Sequence, residues 1–398
     1  MKKLSRLLKS SPFLYSVYFY SMSFLLRLLG LFFRVDDKLI LFNCFGGKKY
    51  DDSPKAIYEA MLMDERFADY TLVWALKEPD KNVIPGRAKV VKSDSFKYFR
   101  VALKAKVWIT NSSMERGLSF KKRKTLCFNT WHGTAIKALG LDLKKENMSF
   151  RSKILVRADM MLAQGQYDID IFSRAFDLPK ESFFSIGLPR NDVLAKYTNK
   201  DVNRIKEKLG IDEKKTVLLY APTFRESATG SNRELVLNIP MNPHIWQERL
   251  GKDFIVLFRA HYEVASYIKI QEFPLFIDVS DYPHLDELMI VSDALISDYS
   301  SIFFDYSIMP KPMYCFAYDY EDYVSSRGMY IELKEELPCQ IHRDEGTLID
   351  DLLSLKSKRE ETVKKTAVFR EKYVTEYGNA SEKSCDIVQQ WLAKEAVE

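Results

Sequence analysis

The feature that most constrains this chain is a succession of short apolar runs that do not alternate. "KLILFNCF" opens the series at residue 38, and "YTLVWAL", "AKVVK", "AKVWITNS", "TLCFNTW", "DMMLAQG" and "FFSIGLP" follow. A strand with one wet face alternates polar and apolar side chains, whereas a strand covered on both faces does not. Helical stretches separate the runs. The first, "SPKAIYEAMLMD", offers Ser53 as an N-cap and Pro54 at the first helical position. The pattern predicts an α/β fold, a parallel sheet with helices on both faces.

The character changes near residues 190–215, where "PRNDVLAKYTNKDVNRIKEKLGIDEKK" is polar, helical and stopped by Gly210. A second series then begins: "TVLLYAPT", "FIVLFRAH", "FIDVS", "DALISDYSS" and "PMYCFAYD". A chain of 398 residues is too long for one ordinary core, so two doubly wound, Rossmann-like domains are expected. Their spans are 36–195 and 196–375. Residues 376–398 form a closing helix, and 1–35 stand apart. Ligands are expected in a cleft, at the carboxyl ends of the strands.

Composition excludes several classes. Sixty basic residues face 55 acidic ones, a net charge of +5, which is no nucleic-acid footprint. Five cysteines lie far apart without a C-x-x-C pair, which argues against thiolate zinc and disulfide frameworks. No P-loop and no G-x-G-x-x-G is present. "DID" at 168–170 falls within a helical stretch and reads as surface charge. No residue cluster calls for a metal, and no cofactor is expected.

Residues 1–35 start basic, with Lys2, Lys3, Arg6 and Lys9, and turn apolar until Arg27. No small-residue cleavage site follows the run. A spanning helix would place the rest of the chain outside the cell, because the basic end stays inside. An interfacial helix on an anionic leaflet, with Arg27 and Arg34 snorkelling, fits better. The competing reading is an apolar helix docked on the domain itself.

Polar residues collect just after the runs. "NTWHGT" follows "TLCF", "APTFRE" follows "VLLY", "RAH" follows "FIVLF", and "SDYSSIFFD" follows "ALI". Taken singly, Thr223 and Ser300 read as caps, and Arg225 as half of a surface pair. Their shared position at strand ends predicts a site. In "LISDYSSIFFD" the strand ends at Ser297–Asp298 and a helix starts near Ser300. The free N–H groups of its first turn, with the Ser300 and Ser301 hydroxyls, form a phosphate cradle. Asp298 would repel a phosphate and is assigned instead to holding a donor or a sugar hydroxyl. Lys137, Arg225, Arg259 and His261 add cationic or proton-bearing groups, which suits a ligand with two phosphates.

These motifs resemble the CDP-glycerol glycerophosphotransferase family of teichoic-acid and capsule synthesis. The resemblance runs through "GGKKYDDSPKAIYEAM", "WHGTAIKALGLD", "GLPRND", "LYAPTFRE", "LFRAH", "SDALISDYSSIFFDY" and "RGMY". The family's usual "WHGTPLKKLG" reads "WHGTAIKALG" here, and Tyr262 stands where a proline usually follows the histidine. The resemblance implies two Rossmann-like domains in a GT-B arrangement, the first for the acceptor and the second for the CDP-linked donor. It implies a peripheral enzyme on the cytoplasmic face of the membrane. The reaction it implies moves glycerol phosphate from CDP-glycerol to a hydroxyl of an undecaprenyl-diphosphate-linked saccharide, releasing CMP. CDP-ribitol is an alternative donor, and a nucleotide-sugar glycosyltransferase is an alternative class.

Under that resemblance His132 and His261 are the catalytic histidines, in either order. Gly133, Thr134, Lys137, Thr223, Arg225 and Arg259 serve the donor and its phosphates. So do Ser297, Asp298, Ser300, Ser301 and Asp305, together with Arg327 and Gly328 of "RGMY". His244, His284 and His342 match no such motif and read as structural or surface residues.

Overall fold

The computed structural model describes residues 11–143, 157–223, 241–260 and 270–396. Two sheets carry the fold. The first contains β1 (Asp36–Asn43), β2 (Thr71–Leu76), β3 (Lys89–Lys92), β4 (Ala105–Thr110), β5 (Leu126–Asn129), β6 (Met160–Ala163) and β7 (Phe183–Ser185), in the order β3-β2-β1-β4-β5-β6-β7. The second contains β8 (Thr216–Tyr220), β9 (Phe254–Phe258), β10 (Phe276–Asp278), β11 (Ala294–Ser297), β12 (Met313–Phe316) and β13 (Ile341–His342), in the order β10-β9-β8-β11-β12-β13. Every pairing is parallel. Strand order reverses between β1 and β4 in one sheet and between β8 and β11 in the other. Those reversals mark where a doubly wound sheet opens a crevice at its carboxyl edge.

The chain divides into two compact units. The first comprises residues 1–132, 139–192 and 379–398, and the second 133–138 and 193–378. In the first unit β1 shows why the runs are unbroken. Ile40 and Phe42 enter a core with Ile57, Tyr58 and Trp74, while Leu39 and Leu41 enter another with Tyr98, Leu103 and Trp108. Successive side chains leave opposite faces of a strand, so both faces must be apolar. The helix Ala380–Glu395 lends Cys385, Val388 and Leu392 to the first of these cores. In the second unit Leu218, Tyr220, Val256, Phe258, Ile296 and Tyr314 pack around Trp246.

Several local expectations change. The helix Asp52–Met63 is capped by Asp51, whose side chain accepts the Asp52 N–H, rather than by Ser53. Ser53 is fully buried instead, its hydroxyl turned to the Arg190 N–H at 3.4 Å. Within "DID", Asp170 is exposed and paired with Lys180, but Asp168 is buried and accepts the Gln164 N–H at 2.9 Å. A carboxylate that caps its own helix's entry is drawn inward, which composition does not reveal.

The helix Pro12–Gly30 docks one face on the first unit. Ser23 and Leu26 are buried there. Arg27 does not snorkel: its Nε donates to the Ser119 carbonyl at 2.8 Å and its Nη2 to the Ser119 hydroxyl at 2.5 Å. The opposite face is bare. Phe13, Phe24, Leu31 and Phe32 are 74, 69, 80 and 79% exposed, the last two just beyond the helix. Lys2, Lys3, Arg6 and Lys9 lie outside the described residues.

Candidate active site

In the first unit the carboxyl edge is built on strained backbone. Phe45, Asp52, Arg116 and Trp131 all have φ between 46° and 60°. A non-glycine residue in that region costs about 1–3 kcal/mol, and such strain gathers where a side chain must be aimed. At the β1/β4 reversal the Asn111 side chain accepts the Phe45 N–H at 2.8 Å. Trp131 follows β5 at φ 51°, its N–H held by the Asn129 side chain at 2.9 Å. Its indole packs on Phe176, 4.6 Å between centroids. The turn leaves the His132 ring tilted over the indole at 4.1 Å, with the Phe45 ring edge-on at 5.8 Å.

His132 is held at both ends. Its Nδ1 lies 2.8 Å from the main-chain oxygen of Asn111. A carbonyl only accepts, so Nδ1 carries the hydrogen, and in the neutral ring Nε2 keeps the lone pair. Its own carbonyl accepts from Arg190 Nη1 at 3.0 Å, and the same nitrogen meets Asp52 Oδ2 at 2.7 Å. Burial pushes the imidazole below its ordinary value, opposed by the Asn111 carbonyl and the Asp52 carboxylate. The ring is therefore neutral at neutral pH and fit to take a proton at Nε2.

In the second unit the reversal lies between β8 and β11, and Asp298 spans it. This buried carboxylate accepts the Thr223 N–H at 2.9 Å and the Tyr299 N–H at 2.6 Å through Oδ1. The Ser297 hydroxyl donates to the Ala221 carbonyl at 2.7 Å. Arg259 donates from Nη1 to the carbonyls of Val279 and Tyr282, at 3.0 and 2.6 Å. Thus Ser297, Asp298 and Arg259 fasten neighbouring loops. The helix after β11 runs only from Ile302 to Tyr306, with Asp305 buried inside it. Ser300 Oγ lies 3.3 Å from the Ile302 N–H, and Ser301 sits at the N-cap.

Residues 133–138 are stitched to the "RGMY" segment. Ala138 N–H donates to Gly328 O at 3.1 Å, Tyr330 N–H to Ile136 O at 3.0 Å, and Lys137 bridges Met329. Gly133, at φ 140°, permits a backbone that an L side chain rarely adopts. Thr134 is buried behind it. The Lys137 ammonium stands 5.4 Å from the centre of the Tyr323 ring, which stacks on Tyr299 at 3.8 Å. Arg327 ends the helix Tyr320–Arg327, and Gly328 follows at φ 73°. Arg225 and His261 lie outside the described residues.

The family model for CDP-glycerol:poly(glycerophosphate) glycerophosphotransferase matches residues 25–390. The chain belongs to this family. It is 34% identical to a teichoic acid poly(glycerol phosphate) polymerase of Staphylococcus epidermidis, over 89% of this chain and 51% of that one. It therefore spans about half the length of that relative. It is 32% identical to the teichoic acid glycerol-phosphate transferase of Staphylococcus aureus, over 88% of this chain and 92% of that one. The solved wall teichoic acid polymerase TagF matches with a TM-score of 0.81 and 33% identity, over 92% of this chain and 91% of that one. A UDP-GlcNAc 2-epimerase of Neisseria meningitidis, at 12% identity and a TM-score of 0.53, shares the fold alone.

In this member of the glycerophosphotransferase family, sequence reasoning missed Asn111, Asp52 and Arg190 around His132, and the Tyr299–Tyr323 stack beside Lys137. Their motifs were visible: "ITNS" closes β4, and "KKYDDSP" and "GLPRND" carry the ion pair. Nothing in one sequence says that residues 52 and 190 meet at residue 132.

Proposed function

We propose that this chain transfers glycerol phosphate from CDP-glycerol to a hydroxyl of a lipid-linked acceptor during teichoic acid or capsular polymer synthesis. The observation that carries the reading is the His132 ring, whose Nδ1 is spent on the Asn111 carbonyl and whose Nε2 is left basic. The acceptor oxygen forms a bond to the phosphorus that bears glycerol. The bond from that phosphorus to the CMP oxygen breaks, CMP leaves, and the acceptor's proton passes to Nε2. Lys137, set against Tyr323, offsets the charge of the donor phosphates. Support for the donor is twofold. A TagF histidine variant has been solved after soaking with CDPG, and the curated relatives include glycerol-phosphate transferases. Ribitol-phosphate enzymes also appear among the relatives, so CDP-ribitol is the second donor to assay.

The assay is CMP release from CDP-glycerol with a lipid-linked saccharide as acceptor. Wild-type protein should release CMP, and His132→Ala should lower kcat by about 10²–10⁴-fold with a smaller change in donor KM. Near-normal turnover by a folded His132→Ala protein removes this histidine from the chemistry.

We also infer that the enzyme works at the cytoplasmic membrane surface, with the bare face of Pro12–Gly30 laid on the lipid. The exposed Phe13, Phe24, Leu31 and Phe32 support this. Co-sedimentation with phosphatidylglycerol vesicles should drop sharply when Phe24 and Phe32 become Ser. Equal sedimentation of the two proteins would rule the face out.

A further inference from the structure

We propose that Asp52 and Arg190 form a positioning pair for His132, fixing the ring's anchor and balancing the charge around it. The inference rests on reading His132 as the base. Both residues come from motifs that the proposed chemistry leaves unused, and neither is assigned to substrate.

The geometry is a three-way junction of distant segments. Arg190 Nη1 donates to Asp52 Oδ2 at 2.7 Å and to the His132 carbonyl at 3.0 Å. The other Asp52 oxygen accepts the Ser53 N–H at 2.6 Å. Asp52 is held at φ 60°, and Trp131, just before the histidine, at φ 51°. Two left-handed residues flank one ion pair, and strain of about 1–3 kcal/mol each persists only where neighbours over-determine it. The pair supplies that restraint. Its side chains are 19% and 6% exposed, so solvent screens it far less than a surface pair.

The consequence for the ring is mechanical and electrical. With the carbonyl tied to Arg190 and Nδ1 tied to Asn111, the direction of Nε2 is set from two sides. The two charges act oppositely on the ring. The carboxylate of Asp52 favours the imidazolium, and the guanidinium of Arg190 disfavours it. Asp51 turns its carboxylate to the Asp52 N–H, with Lys49 and Lys55 as its nearby cations. Among the described residues the ring also meets Phe45, Trp131 and the Asn111 carbonyl, all uncharged.

The test is an NMR titration of the His132 ring in the full chain, read beside the pH profile of CMP release. Asp52→Asn should move the titration to lower pH and Arg190→Gln to higher pH. Arg190→Lys, which keeps the charge, should stay near wild type. In both neutralised variants kcat should fall by about 10–100-fold with donor KM little changed, because a loosened base loses alignment rather than binding. A merely structural pair would lower stability without opposite titration shifts. Shifts of the same sign, or none, overturn the proposal. Should Arg190→Gln fail to fold, the near-isosteric Asp52→Asn decides it alone. The ring titration needs no turnover. If His132→Ala remains active, the base assignment fails while the pairing is still judged by the NMR shifts.

Discussion

The two sheet reversals are closed by the same device made from different residues. In the first unit the Asn111 side chain accepts one loop N–H, that of Phe45. In the second the Asp298 carboxylate accepts two, those of Thr223 and Tyr299. The neutral stitch lies beside a ring whose pKa burial lowers, and its main-chain oxygen fixes that ring's tautomer. The charged stitch fastens two backbone N–H groups across its reversal. A carboxylate at position 111, without a paired cation such as the Arg190 that meets Asp52, would favour a proton on the ring, whereas an amide closes the loop without doing so. The contrast teaches that a charged side chain at a strand end is no sure sign of ligand contact. Here the charged stitch builds the rim, while the stitch that fixes the His132 tautomer is neutral.

The comparison breaks most easily at Asp298. Replacing it with Ala strands two N–H groups, at about 1–3 kcal/mol for each that stays buried. Asn111→Ala strands one. Asp298→Ala should therefore lower the urea midpoint more than Asn111→Ala, and Asp298→Asn should fall between wild type and Asp298→Ala. The amide oxygen still accepts, but without the added strength of a charged acceptor. Equal midpoints for the two alanine variants would show that the second N–H contributes nothing.

The sequence reading reached the sheets because burial on both faces writes itself into each run. "KLILFNCF" and "AKVWITNS" became β1 and β4, neighbours across a reversal. It missed β13 because Ile341–His342 is two residues long and carries no run. At the site, His132 stood out through "TWHGT", with its tryptophan and glycine on either side. Gly133 and Trp131 do hold unusual backbone angles. Ser297, Asp298 and Arg259 were equally visible, but as charged or hydroxyl residues their loop-fastening contacts were not. Apart from the neighbouring Tyr299 N–H on Asp298, those contacts are made to backbone groups more than 15 residues away, as with Ser297 and Ala221, and backbone leaves no mark in sequence. The same limit hid Asp52, whose partner is 138 positions on.

The finest test exchanges the stitches. Asn111→Asp keeps an acceptor for the Phe45 N–H, so the loop should stay closed and the urea midpoint should change little. It loses the weak Nδ2 contact to Cys44 Sγ at 3.4 Å and adds a negative charge beside the His132 turn. The sign follows from the ring. With His132 as the proposed neutral base, activity should rise as pH climbs through its pKa, which burial holds below the ordinary histidine value. A new carboxylate favours the imidazolium and raises that pKa. The acidic limb of kcat/KM should therefore move to higher pH, with activity reduced near pH 6 and almost unchanged near pH 8.5. Asp298→Asn, the reverse exchange, should leave that limb where it is. An unmoved limb in Asn111→Asp would mean that the neutrality of the first stitch has no bearing on the base. The choice of an amide at residue 111 would then reflect loop closure alone.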